Sequence, residues 1–247
     1  ASENLIPVTM ELGGKSPNIF FPSVADADDD FFDKAVEGAV LFAVNQGEVC
    51  TCPSRILVHE SIYEKFMSRV IARTKAIKMG DPLDSNTMMG AQASNDQYEK
   101  IQSYLKLGVE EGAEVLCGGD VQKLPGDLAN GYYIQPTLFK GHNKMRIFQE
   151  EIFGPVLSVT TVKDDEEAIR VANNSDYGLA AGLWTANVSK VHRLARQIRA
   201  GTVWVNCYEE GDLTVPFGGF KMSGNGRDKS RHALEKYTEL KTTYIKL

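Results

Sequence analysis

The stretch that organises the chain is residues 42–55, which read FAVNQGEVCTCPSR. Upstream of it, apolar residues recur at helical spacing and predict a helix with one buried face that ends at Gly47. Residues 55–59, which read RILVH, predict a buried strand. Cys50 is therefore expected on a turn with rigid flanks and one open side, as a nucleophile requires, although most free cysteines are simply small buried residues. The apolar face comprises Phe32, Ala35, Val36, Ala39, Val40 and Ala43.

A second stretch, residues 8–21, reads VTMELGGKSPNIFF. Its alternating pattern predicts a strand that ends at Glu11, and the glycines at 13 and 14 allow another segment to approach the backbone closely. A carboxylate at the end of one element and a thiol at the end of another indicate a nucleophile with a general base. Glu11 and Cys50 are therefore the catalytic candidates.

Three motifs of this chain resemble those of the NAD(P)-dependent aldehyde dehydrogenase superfamily. They are residues 11–17, ELGGKSP; residues 45–50, NQGEVC; and residues 150–156, EEIFGPV. They follow the order and approximate spacing of that family, and the resemblance extends over nearly the whole chain. A Gly-rich dinucleotide fingerprint following a strand is missing from these residues. The resemblance therefore implies the catalytic half of such an enzyme, without most of the cofactor-binding half.

The same resemblance predicts the domain organisation. Residues 1–12 would be the end of the cofactor-binding domain, residues 13–236 the catalytic domain, and residues 237–247 a strand that joins a neighbouring subunit. A homo-oligomer formed through that strand is expected. The alternative is a local edge strand that pairs within its own domain.

Strands that alternate with helices predict an α/β fold, with an open, mostly parallel, twisted sheet covered by helices on both faces. A loop is expected over residues 118–131, which are rich in Gly and Asp. The predicted helices cover residues 61–78, with Ser61 as N-cap, 94–112, 165–174, 191–198 and 229–236. The predicted strands cover residues 113–117, 132–139, 156–162, 180–185, 202–206 and 237–247.

Composition excludes several classes of partner. A net charge of −6 and a pI near 5.3 argue against nucleic acid and against an anionic membrane, because both favour a basic face. Neither a long apolar run nor a signal-peptide pattern is present. The four cysteines are scattered, which is typical of reduced thiols in the cytoplasm. They have no zinc-ligand spacing, so no metal is expected.

The reaction implied by the resemblance is oxidation of a small aldehyde to a carboxylic acid with NAD or NADP. Cys50 would attack the carbonyl and form a thiohemiacetal, whose oxyanion is stabilised by the backbone N–H of Cys50. Hydride transfer to the cofactor would leave a thioester. Glu11 would activate the water that hydrolyses it.

Further site residues follow from matching positions in that family. The substrate mouth corresponds to residues 208–217, whose carboxylates suggest that the substrate is a cationic amino aldehyde. The alternative for these carboxylates is an exposed, solvated acidic loop. For Lys100, the alternative to cofactor contact is an ordinary surface lysine. The cofactor-binding candidates are Glu151, Phe153, Gln97, Lys100 and Leu12. The substrate-binding candidates are Phe217, Glu209 and Asp212.

The two ends of the chain resemble different branches of the family. Residues 11–153 resemble the branch that oxidises acetaldehyde. From about Gly178 onward, the chain resembles the γ-glutamyl-aminobutyraldehyde branch. The hypothesis drawn from this difference is a hybrid chain joined between Phe153 and Gly178.

Other functions remain open at this stage. A CoA-acylating relative is disfavoured by Glu11, because that branch generally lacks the carboxylate. A non-catalytic interaction or assembly module would keep the sheet without turnover. The fragment alone is expected to show little dehydrogenase activity and at most weak thiol esterase activity through Cys50.

Overall fold

A computed structural model describes the chain over all of residues 1–247. The strands are β1 Met10–Glu11, β2 Pro17–Phe20, β3 Arg55–His59, β4 Glu114–Cys117, β5 Thr137–Lys140, β6 Val156–Val162, β7 Tyr177–Gly178, β8 Ala180–Trp184, β9 Thr202–Val205, β10 Phe220–Lys221 and β11 Gly224–Asn225. The helices are α1 Asp30–Val40, α2 Tyr63–Lys75, α3 Asn95–Glu110, α4 Arg146–Gln149, α5 Asp165–Asn173 and α6 Val188–Ala195.

Seven of these strands form one sheet in the order β4-β5-β6-β3-β2-β8-β9. Every neighbouring pair is parallel except β4 and β5, which are antiparallel at one edge. Two short antiparallel pairs, β1 with β11 and β10 with β7, lie outside it. The predicted fold class, a mostly parallel α/β sheet, is confirmed.

Helices cover both faces of the sheet because successive residues of a strand point to opposite sides. On β2, Phe20 packs with α1 and α2, where its ring centroid lies 4.5 Å from that of Phe66. Ile19 faces the other side, in a separate core with residues of α5 and α6 such as Ala168 and Leu194. Strand β2 is therefore buried on both faces, which explains its continuous apolar sequence.

All six residues of the predicted apolar face are buried, five of them on helix α1 and Ala43 just beyond its end. Asp29 caps the helix by accepting the N–H groups of Phe31 and Phe32 at 3.0 and 3.1 Å. The predicted end at Gly47 is wrong, because α1 ends at Val40 and a 3₁₀ segment follows. Within that segment Val44 becomes extended, and the next three residues take left-handed backbone angles.

Several boundaries differ from the sequence expectation. The strand predicted from Tyr132 begins only at Thr137, because Pro136 lacks an N–H group for a ladder hydrogen bond. Ser61 does not cap α2, since it lies in a 3₁₀ turn before that helix. The helix predicted over residues 229–236 is a 3₁₀ segment, Arg231–Lys236.

The end of the chain, residues 238–247, forms no strand in this structure. Its apolar side chains are exposed, including Leu240, Tyr244 and Ile245. The alternative of a local edge strand is therefore wrong, because a strand needs a ladder partner and the chain's own sheet supplies none here.

None of the helices combines the length and apolar character needed to cross a membrane.

Candidate active site

The sheet brings Glu11 and Cys50 together. Strands β2 and β3 are parallel neighbours, with Pro17 opposite Arg55. The segments that lead into them therefore meet at the same edge of the sheet. There, the Sγ atom of Cys50 lies 4.0 Å from Oε2 of Glu11, with the thiol as donor. Cys50 is half-buried and Glu11 is exposed, so the pair is open on one side as the sequence predicted.

Two glycines allow the three sequence motifs to converge. A Cβ on Gly14 would lie 2.9 Å from the carbonyl oxygen of Cys50, so this residue lets the first two motifs approach each other. Gly47 has a φ of 73°, and a Cβ there would overlap the backbone of Gly154 in the third motif. The motifs thus meet backbone to backbone, which a side chain at either position would prevent.

The two catalytic candidates influence each other's protonation. Burial is the main cause that raises the pKa of Cys50, and the nearby negative charge of Glu11 raises it further. Burial also raises the pKa of Glu11, with the charge of Asp228 adding to the effect and that of Lys236 opposing it. Both shifts favour the neutral form of their group, and the thiol is placed to donate its proton to Glu11.

Asp228 and Lys236 form an ion pair close to Glu11. The sequence alone does not indicate this pair, because residues 228 and 236 are brought beside residue 11 only when β11 pairs with β1. Their opposite charges act on Glu11 in opposite directions. The effects of the two charges on the pKa of Glu11 therefore partly cancel.

Glu151 lies against the glycines that follow Glu11. Its Oε1 atom accepts the backbone N–H of Gly14 at 2.9 Å, and a Cβ on Gly13 would overlap its carboxylate. Glu151 is half-buried, and it lies on the third motif beside Phe153, whose φ is 59°. A carboxylate is thus placed against the two glycines that follow Glu11, and Phe153 lies two residues further along the same motif.

The other cofactor candidates have different surroundings. Gln97 donates its side-chain amide to the carbonyl oxygens of Ile152 and Phe153, at 2.9 and 2.6 Å, so it holds the third motif in place. Lys100 lies nearly one turn further along α3 and is half-buried. Leu12 is exposed, and its backbone N–H is donated to the carbonyl oxygen of Ser223.

The substrate candidates divide into two groups. The carboxylate of Glu209 accepts the hydroxyl of Thr51, directly beside Cys50. Phe217 pairs through its backbone with Asp228 and so lies in the neighbourhood of the base. Asp212, by contrast, is exposed on a turn, where it accepts the N–H of Thr214 at 2.7 Å. Two of the three candidates are therefore brought towards the site.

Two basic side chains near the site, Arg55 and Lys15, are buried, which was not predicted from the sequence. Arg55 is fully buried, and its guanidinium donates to the carbonyl oxygens of Lys15 and Ala172 at 2.8 and 2.9 Å. Lys15 is also buried, its Nζ has no hydrogen-bond partner, and burial lowers the pKa of its amine to about 7. Charged residues at the start of two buried strands were the available signal.

Comparison with known proteins agrees with this geometry. The model of the aldehyde dehydrogenase family matches residues 1–243. The chain therefore belongs to the aldehyde dehydrogenase family. The side chains form no group of three or more potential metal ligands.

Particular relatives resemble the chain closely over part of their length. An aldehyde dehydrogenase of Paracoccus denitrificans and acetaldehyde dehydrogenase 2 of Cupriavidus necator are each 60% identical over 245 residues, which is 99% of this chain and 48% of each relative. The solved indole-3-acetaldehyde dehydrogenase AldA of P. syringae, a mutant in complex with NAD⁺ and IAA, is 51% identical. It superposes with a TM-score of 0.91 over 99% of this chain and 48% of that one.

The chain thus spans about half the length of the curated relatives it matches. Those matches cover both sides of the junction suggested between Phe153 and Gly178. The hypothesis of a hybrid chain finds no support in them.

Proposed function

We propose that this chain supplies the nucleophile and the base of an aldehyde dehydrogenase that oxidises aldehydes to carboxylic acids with NAD. The observation that carries the proposal is the 4.0 Å contact between Cys50 Sγ and Glu11 Oε2. Family membership supplies the reaction class, and the contact supplies the two groups that acyl transfer requires.

The steps assigned to the chain's own residues follow from that contact. Glu11 accepts the thiol proton, and the sulfur of Cys50 adds to the aldehyde carbon to form a thiohemiacetal. The backbone N–H of Cys50 is the proposed donor to its oxyanion. Glu11 is exposed and releases the thiol proton to solvent before the second stage. After oxidation to a thioester, the Glu11 carboxylate takes a proton from water as the water attacks the thioester carbon, and Cys50 leaves as thiolate.

The cofactor would be held at its nicotinamide ribose end. Glu151 fits this role because its half-buried carboxylate uses one oxygen on Gly14 and leaves the other for a ribose hydroxyl. Phe153 lies on the same motif and Gln97 holds that motif from behind. When bound, NAD supplies the hydride acceptor. Lys100 and the backbone of Leu12 are proposed as additional contacts, and NADP is the alternative cofactor.

The substrate is proposed to be a small aldehyde that enters beside Phe217. Relatives at the identities above are named for acetaldehyde and indole-3-acetaldehyde. A cationic amino aldehyde has weaker support, because the carboxylates of Glu209 and Asp212 are engaged with Thr51 and Thr214.

Wider properties are proposed from the same family membership. Residues 13–236 would form the catalytic unit, residues 1–12 would continue towards the cofactor-binding domain, and residues 237–247 would pair with a second subunit. The four free cysteines are consistent with a cytoplasmic location.

The test compares this 247-residue chain with a version joined to the missing half of a relative, following NADH formation from acetaldehyde. The expected result is dehydrogenase activity in the joined protein and little in the chain alone. Strong NADH formation by the chain alone would contradict the proposed division of the site. Joined protein that binds NAD but forms no NADH would contradict the proposed reaction.

The second candidate is a non-catalytic assembly module, which the exposed apolar tail favours. Labelling with iodoacetamide separates the two. A nucleophile predicts selective reaction at Cys50, whereas a structural thiol would react no faster than Cys207, which is also half-buried.

A further inference from the structure

The residue after the nucleophile is held by a distant part of the chain. Thr51 is 4% exposed, and its carbonyl oxygen accepts the phenol O–H of Tyr208 at 2.8 Å. Its hydroxyl donates to the carboxylate of Glu209. The carbonyl and the hydroxyl of Thr51 are therefore both bound from a single segment, which follows strand β9 at the edge of the sheet.

That segment is itself fixed in place. Tyr208 is 6% exposed, and its ring centroid lies 4.7 Å from that of Trp204 on β9. A Cβ on Gly182 of the adjacent strand would lie 2.8 Å from the Tyr208 ring, so the ring packs directly on the sheet. Burial raises the pKa of Tyr208 well above its ordinary value, so the phenol remains a hydrogen-bond donor.

Glu209 adopts a conformation that requires compensation. Its φ is 61°, in the left-handed region, which a residue with a side chain adopts only with steric strain. Glu209 and Glu210 are both exposed, as in a solvated acidic loop. Glu209 nevertheless places its carboxylate on the hydroxyl of Thr51, and it does so from a strained backbone.

We infer that Tyr208 and Glu209 are positioning residues, which hold the loop of Cys50 through Thr51 at its working distance from Glu11. This inference rests on the proposed function, because a position is needed only if Cys50 and Glu11 act together. It assigns to Glu209 a role towards the nucleophile loop, in place of contact with a cationic substrate.

The test measures how strongly Glu11 acts on Cys50 when the hold on Thr51 is weakened. The apparent pKa of Cys50 is obtained from the pH dependence of its alkylation by iodoacetamide, with the modified site located by mass spectrometry. Glu11→Gln should lower this pKa in the wild-type chain, because the charge of Glu11 raises it. The shift is then measured again in Tyr208→Phe and in Thr51→Val.

Each variant removes one hydroxyl and little volume. Tyr208→Phe removes the donor to the Thr51 carbonyl, and Thr51→Val removes the donor to Glu209. The matched control is Glu210→Gln, since the Glu210 side chain is hydrogen-bonded to neither the carbonyl nor the hydroxyl of Thr51. Folding of each variant is checked by tryptophan fluorescence. If the Tyr208→Phe chain does not fold, the comparison is made with Thr51→Val alone.

The expected result is a Glu11→Gln shift less than about half the wild-type shift in both variants, and a full shift in the control. Equal shifts in the variants and the control would overturn the inference while leaving the proposed function intact. Absence of any shift in the wild-type chain would instead contradict the pairing of Glu11 with Cys50, and with it the proposed function.

Discussion

Gly14→Ala perturbs the distance between the nucleophile and its base. A Cβ at this position would lie 2.9 Å from the carbonyl oxygen of Cys50, whereas ordinary contacts begin near 3.4 Å. The loops that carry Cys50 and Glu11 must therefore separate by about 0.5 Å. Because Gly14 does not have a left-handed φ, the substitution tests this close approach and not backbone strain. We expect a loss of about 1–3 kcal/mol in the free energy of unfolding.

The same separation should raise the rate of alkylation of Cys50 and lower the rate of hydrolysis of an acetyl group on it. As Glu11 moves away, the pKa of Cys50 falls, so alkylation by iodoacetamide below that pKa becomes faster. Hydrolysis of an acetyl group on Cys50 becomes slower, because Glu11 no longer reaches the attacking water. A misplacement of 1 Å costs up to about 100-fold, so a shift of half that size predicts about tenfold.

The assay follows both rates on the same protein. Alkylation is measured across pH by mass spectrometry, and deacetylation is measured after treatment with p-nitrophenyl acetate. Gly90→Ala is the matched control, because a Cβ there would make only an ordinary contact of 3.6 Å with Gln46. Wild-type rates of both reactions in Gly14→Ala would contradict the expected separation of Cys50 from Glu11, as would a parallel fall of both rates.

The remaining predictions concern stability and thiol selectivity. Gly47→Ala should lower the free energy of unfolding by about 3 kcal/mol or more, because its φ is 73° and a Cβ would overlap the facing backbone; urea unfolding within about 0.5 kcal/mol of a Gly211→Ala control would contradict this. Lys15→Met should stabilise the chain most below pH 7. Burial lowers the pKa of this amine from 10.5 to about 7, so the penalty of its charge is complete below pH 7 and disappears as the pH rises towards 10.5. Urea unfolding at several pH values measures the difference, and a stabilisation independent of pH would be the contrary result. At pH 8, iodoacetamide should modify Cys50 well before Cys52, whose pKa burial raises to about 12; peptide mapping that finds the reverse order would exclude Cys50 as the reactive thiol.

Local signals in the sequence predicted much of the fold. Strand β6 has the predicted bounds, and Ser94, the first residue of the predicted third helix, caps α3 by accepting the N–H of Gln97. The cap is a contact between near neighbours in the sequence, and the apolar run of β6 is visible in its own residues. Helix α1 ends earlier than predicted, because the chain passes into a 3₁₀ segment after Val40, and within it Val44, a residue that helices tolerate, is extended.

The candidate site divides in the same way. Cys50 and Glu11 were identified from their own motifs, and their contact followed from two adjacent strands. The hold on Thr51 by Tyr208 joins residues 157 positions apart, and no pattern near either residue indicates it. Contacts of this kind depend on the order of the strands in the sheet, which places the segment after β9 within reach of Thr51, before β3.

The pairing of Cys50 with Glu11 is tested most directly by the fate of an acyl group. The chain is treated briefly with p-nitrophenyl acetate, and the acetylated residue and its lifetime are determined by mass spectrometry in the wild type and in Glu11→Gln. We expect one acetyl group, on Cys50, that is lost from the wild type and persists in Glu11→Gln. Acetylation elsewhere, or equal lifetimes on Cys50 in the two proteins, would contradict it.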